Sequence, residues 1–215
     1  MTGSASKRRG IRIGHLRAIR PMLDKWLSVN EKLADEWIPE FDDAPWWYNE
    51  RASISVFAGA AWLCHGWAFE EFATSKELRQ GKGKPRETTG RCDINFSVNG
   101  YEYVAEAKQC WPKIDRPASA ARVVLASLDA ALRDCSHIPD WGLPVLGITF
   151  VAPRLLASHA DALDTHTDDF VRWLRGIPGV TVAWTFPRSA RALSPISTRV
   201  QRLFPGTALI IKRAA

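Results

Sequence analysis

The dipeptide Asn99-Gly100 constrains the fold of this chain more than any other feature. It joins two runs in which apolar and polar residues alternate, "RCDINFSV" and "YEYVAEAKQC". A two-residue type I′ turn needs positive φ at both central positions. Asn-Gly meets that need, so the segment reads as a β-hairpin. The turn then fixes the register, beginning with Val98 opposite Tyr101. Ile94 faces Ala105 and Phe96 faces Tyr103, which makes one apolar face. The other face carries Asp93 opposite Glu106, Asn95 opposite Val104 and Ser97 opposite Glu102.

Directly opposed residues have Cβ atoms about 4.5–5.5 Å apart, and like charges there are destabilising. A cation would relieve the conflict, and Lys108, two residues beyond Glu106, projects from the same face. Two carboxylates at that separation suit Mg²⁺, which takes oxygen ligands at about 2.0–2.1 Å and keeps several waters. The backbone carbonyl of Ala107 lies between the two functional side chains and offers a further ligand. A lysine beside such an ion orients or deprotonates a water and stabilises charge on a phosphate. The chemistry expected is metal-assisted hydrolysis of a phosphodiester. Glu106 and Lys108 alone would be an ordinary solvated ladder. Asp93 in register changes that balance, and a slip of one residue would remove it.

Upstream, "MLDKWLSVNEKLADEWI" reads as a helix anchored by Leu23, Trp26, Leu27, Leu33 and Trp37. "PEFDDAP" breaks it, and Asp43 is the expected N-cap of a second helix over about residues 44–64, with Pro45 in its first turn. Trp47, Glu50, Ile54, Phe57 and Ala61 follow helical spacing, and Glu50 is the charged member of an otherwise apolar stripe. A first-turn acid favoured by the helix dipole explains Glu50 equally well. "WAFEEFATSKEL" reads as a strand. Downstream the pattern predicts a helix in "PASAARVVLASLDAALRDC", a doubly covered strand in "LPVLGITFVAP" and a helix in "ADALDTHTDDFVRWLRGI". "VTVAWTF" and "TALIIKR" read as strands, the latter closing the sheet. The mixture implies a sheet with helices packed on its faces.

At these residues the sequence resembles the PD-(D/E)XK, or restriction-endonuclease-like, nuclease superfamily. Asp93 matches the first acid of the motif, Glu106 the second and Lys108 the lysine, while Cys92 stands where the motif has proline. Glu50 matches a glutamate that many members carry on the helix before the first strand. The resemblance covers about residues 46–152. It implies an α/β fold with a restriction-endonuclease-like mixed sheet flanked by helices, and a Mg²⁺- or Mn²⁺-dependent cut in DNA, less often RNA. Asp93 and Glu106 would hold the metal with the Ala107 carbonyl and Glu50. Lys108 would act on the attacking water. Gln109 turns to the opposite face and is at most a supporting residue. The activity implied is that of a deoxyribonuclease in prokaryotic defence or DNA processing. The alternative is a catalytically inactive nucleic-acid-binding or assembly protein with the same fold.

The net charge of +6 arises in residues 1–23, which hold six basic residues and no acid. Lys7, Arg8 and Arg9 in this segment are candidate phosphate contacts, and a solvated tail is the plainer reading. The expected division is a basic helical arm over residues 1–45 and a nuclease-like domain over 46–215. The loop "RQGKGKPRETTG" adds Arg79, Lys82, Lys84 and Arg86, with Arg91 nearby, as nucleic-acid contacts beside the carboxylates. Trp46, Trp47, Trp62, Trp67 and Trp111 could stack bases, although most belong in a core. Four scattered cysteines without a CxxC pair fit a reducing, cytoplasmic setting. No apolar run is long enough to span a membrane. The apolar and Trp content permits a second copy or a protein partner.

Overall fold

The computed structural model describes residues 8–78, 86–193 and 201–214. Asn99 and Gly100 both take positive φ, 52° and 77°. They join β3 (Arg86–Val98) to β4 (Tyr101–Cys110), and the ladder runs in the expected register from Val98↔Tyr101 to Ile94↔Ala105. Turn chemistry alone is enough to set this pairing. The apolar face forms as read, except that Tyr101 at the turn is exposed.

The elements that follow build a seven-stranded sheet. β1 (Arg9–Arg12), β2 (Trp67–Leu78), β5 (Val145–Val151), β7 (Thr181–Thr185) and β9 (Thr207–Arg213) join β3 and β4 in the order β1-β7-β9-β5-β4-β3-β2. β4 and β5 are parallel and the other neighbours antiparallel. A parallel pair needs a crossover, and α3 (Pro117–Cys135) provides it. The helix occupies the segment the sequence pattern predicts. β6 (Leu155–Leu156) and β8 (Arg202–Leu203) form a separate small ribbon.

Both faces of the sheet are covered. α1 (Arg20–Phe41) and α2 (Glu50–Trp62) contribute Met22, Trp26, Leu27, Ile54 and Phe57 to one core with Phe96, Ala105, Ile148 and Leu209. α3 and α4 (Leu163–Gly176) contribute Val124, Leu128, Phe170 and Leu174 to the other, with Val182, Trp184 and Ile210. Alternate residues of β7 and β9 thus enter opposite cores, which explains their unbroken apolar runs. Gly147 of β5 lets α3 approach closely, since a Cβ there would meet the Leu132 side chain at 2.8 Å. No helix among the described residues is long and apolar enough to cross a membrane.

Several local expectations need correction. The basic N-terminal segment is not a helical arm. Arg9–Arg12 is an edge strand paired with β7, and α1 packs in the same core as α2, so no separate unit ends at residue 45. α2 begins at Glu50 rather than near residue 44, and its N-cap is Asn49, whose Oδ1 accepts from the Ala52 amide at 3.0 Å. Asp43 instead accepts from the Ala44 amide and the Tyr48 hydroxyl. A short 3₁₀ turn, Pro45–Trp47, separates the two helices. β9 lies inside the sheet, not at its edge, because β1 supplies that edge.

The Phe57 ring is fully buried and meets Phe96 and Phe150 edge-on at 5.2 and 6.0 Å. Phe57→Ala is expected to destabilise the chain by about 3–5 kcal/mol through lost burial and a residual cavity. Urea denaturation monitored by Trp fluorescence would check the value.

Candidate active site

The two ladders of β3 fail at the same residue. Pairing with β4 stops at Ile94↔Ala105, and pairing with β2 skips from Glu70↔Ile94 to Phe72↔Cys92. Asp93 therefore has no ladder partner on either side, and the expected Asp93–Glu106 pair is not part of the ladder. The Asp93 side chain takes over the missing role, as its Oδ2 accepts a hydrogen bond from the Ala107 amide at 2.7 Å. An extended residue turns its N–H and C=O toward the same edge. The Ala107 carbonyl thus faces the gap that β3 leaves.

Glu50 reaches this edge from the first turn of α2. Burial raises its pKa. The Lys108 charge lowers it, Asp93 raises it, and the Gln109 backbone amide lowers it again. Ala107 and Gln109 are successive amides on one edge of β4, so the two carboxylates occupy neighbouring positions of the abandoned ladder. The Gln109 side chain turns toward α2, accepting from the Ser53 hydroxyl at 2.7 Å and donating to the Trp46 carbonyl at 3.0 Å. It braces the start of α2, on the face alternation predicts.

Lys108 projects to the α3 side and pairs with Asp134 at 2.7 Å. Burial lowers its pKa, but the Asp134 hydrogen bond and the charges of Glu50, Asp134 and Asp93 outweigh this, and the net shift is upward. Lys108 is accordingly an ammonium at neutral pH. Glu106 projects from the same face and is only 2% exposed. Its neighbour in the parallel ladder is Gly147, where α3 comes close. Cys135 lies against it, with a thiol pushed up to about 11 by burial first, and the Glu106 charge adds to that. The structure therefore brings Asp93, Glu50 and Lys108 together at the edge of β4 and sets Glu106 deeper, under α3.

Beside Asp93, Glu71 takes φ 47° and is gripped by Arg51 at 2.6 Å and Arg91 at 2.9 Å. Two facing carboxylates repel, and the turned-out Glu71 with its two arginines removes that repulsion. Both arginines are exposed. Of the expected phosphate contacts, Arg91 is thus at the site. Arg8 pairs with Asp164 and Arg9 with Glu31. Lys7, Arg79, Lys82 and Lys84 lie outside the described residues, and Arg86 opens β3. Trp46 is buried, as expected for most tryptophans, whereas Trp62 is exposed. Asp134, Arg51 and Glu71 were not legible as site residues, because nothing local in their sequence marks them.

Among the described residues, no three His, Cys, Asp or Glu side chains are close enough together to hold a metal ion. An all-protein cage is therefore not what the site offers. Mg²⁺, however, is commonly held by one or two carboxylates, with waters and substrate phosphates completing its shell. Asp93, Glu50 and the Ala107 carbonyl supply the hard oxygen donors that arrangement needs. No family model matches the chain, and no curated protein or solved structure is significantly similar to it.

The raised pKa of Glu50 has a consequence for stability. A carboxyl whose folded pKa exceeds its unfolded value penalises the fold once it is ionised, and the penalty disappears below the unfolded value. Glu50→Gln is expected to raise Tm at pH 7. The gain should shrink as the pH falls through the raised pKa toward the ordinary carboxylate range. Thermal unfolding of both proteins between pH 4 and 8 would check the trend.

Proposed function

We propose that the chain is a metal-dependent nuclease that hydrolyses phosphodiester bonds in DNA on a restriction-endonuclease-like fold. The observation that carries this reading is the free edge of β4. Asp93 bonds the Ala107 amide there, and Glu50 faces the Gln109 amide, with Lys108 in their field. The mixed sheet with helices on both faces is compatible with that fold. A role in prokaryotic defence or DNA processing fits a nuclease of this kind by fold analogy alone.

Asp93 and Glu50, with the Ala107 carbonyl and Glu106 behind them, are the groups that would hold Mg²⁺ or Mn²⁺. Such an ion, when bound, supplies positive charge to the phosphate and lowers the pKa of a coordinated water. Lys108, kept as an ammonium by Asp134, suits stabilising charge on a phosphate oxygen better than accepting a proton. Glu50, reaching the same edge from the first turn of α2, would join Asp93 in holding the ion or its waters. Arg51 and Arg91, exposed and adjacent, would contact the flanking phosphates.

A second reading, an inactive nucleic-acid-binding protein, is favoured by the Lys108–Asp134 pair, which occupies the lysine. Cleavage of linear and circular DNA with Mg²⁺, Mn²⁺ or EDTA distinguishes the two. Metal-dependent cutting should fall by about 10²-fold or more in Asp93→Asn and in Lys108→Ala. DNA bound by the wild type but not cut with any metal would establish the second reading. Equal cutting by wild type and variants would overturn the site.

A further inference from the structure

Four basic side chains surround one small cavity away from the β4 edge. Lys113, Arg116, Arg154 and Arg202 line a space of about 50 Å³ together with Asp115. Its frame is held by backbone hydrogen bonds. The Arg154 amide donates to the Pro112 carbonyl at 2.9 Å, the Ile114 amide donates to the Arg154 carbonyl at 3.0 Å, and Leu156 pairs with Arg202 across the β6–β8 ribbon. Arg154 and Arg202 are half-buried on this frame, and the exposed Lys113 and Arg116 stand at its rim. α3 starts beside them with Arg116 as an N-cap that offers no side-chain bond, which adds the positive end of its dipole.

These charges outnumber the single carboxylate that shares the cavity. Among the described residues no carboxylate lies within salt-bridge distance of any of the four. The Nε of Arg154 is buried without a hydrogen-bond partner. Burial lowers the Arg154 pKa, and the Arg202 charge lowers it further, as expected of cations crowded together. An anion would relieve both the repulsion and the unsatisfied donor.

Asp115 narrows the kind of anion. Its side chain is 7% exposed, and its Oδ2 meets His159 Nδ1 at 3.1 Å. Its Oδ1 is buried with no partner. A buried acceptor without a donor is rare and calls for one. Sulfate would satisfy the arginines but bring only further lone pairs to Oδ1. A phosphodiester within a strand has no proton either. A phosphate that retains a proton supplies negative oxygens to the cations and an O–H to Oδ1 together.

We propose that this cavity is a binding site for a protonated phosphate, either inorganic hydrogenphosphate or a terminal phosphomonoester. The site stands apart from the nuclease reading. It borders the first turn of α3, whereas Asp134, the partner of Lys108, lies in the last turn of that helix.

Isothermal titration of the full chain at pH 7 with sodium phosphate and sodium sulfate tests the assignment. Phosphate should bind saturably and about tenfold or more tightly than sulfate. Asp115→Asn should erase that preference by strengthening sulfate binding, a gain that a misfolded variant cannot mimic. The double variant Arg154→Gln/Arg202→Gln should weaken phosphate by about tenfold or more. No saturable phosphate binding, equal binding of the two anions by wild type, or a preference that survives Asp115→Asn would overturn the proposal. Displacement of phosphate by a 5′-phosphorylated oligonucleotide but not its 5′-hydroxyl form assigns the site to strand ends. Displacement by neither assigns it to the free anion.

Discussion

Every amide along a buried strand requires an acceptor, and β4 loses its supplier halfway along. β3 satisfies it as far as Ala105 and then departs. The Asp93 carboxylate fills the next position, on Ala107. Its place is therefore dictated by the backbone of β4 more than by its own rotamer. β4 is in turn immobilised on its other edge by the parallel ladder with β5, from Val104↔Val145 to Cys110↔Val151. A negative charge fixed at a strand edge then organises what surrounds it: Lys108 in its field, Glu50 at the following amide, and Glu71 turned out toward two arginines. Cα geometry alone would show a hairpin coming apart. With side chains, it is a hairpin whose last hydrogen bonds are made by carboxylates.

Turn chemistry made this region legible before any coordinates. Asn99-Gly100 fixes which residues face each other, and the observed register agrees at every pair of the ladder. It does not fix where the ladder ends, which is at Ile94↔Ala105. Hence the turn register sets Asp93 directly opposite Glu106, a pair that the observed ladder does not contain. α3 and β5 were legible because their patterns, one helical and one uniformly apolar, are local. The fate of the basic N-terminal segment was not. Arg9–Arg12 becomes a strand only by pairing with Thr181–Thr185, and Arg8 and Arg9 are neutralised by Asp164 and Glu31. Partners so distant in sequence leave no trace in a window of neighbouring residues.

Glu50 and Lys108, both in the field of Asp93, are half-buried, and burial disfavours the charge of each. Glu50 sits in a first turn, where the helix dipole favours a negative charge, yet desolvation prevails and its affinity for a proton rises. Lys108 is also desolvated, but three carboxylates keep its proton in place. Both therefore hold a proton more tightly than in water, Glu50 through burial and Lys108 through its neighbouring carboxylates.

α3 ties these features to the basic cavity. Its last turn supplies Asp134 to Lys108, and its first turn borders Arg116 and Asp115. Ala120, Val124, Leu128, Ala131 and Cys135 are buried along its length, so it cannot slide without opening the core. Close packing at Gly147 secures it further. The placement of both ends of the helix is therefore a fixed property of the fold.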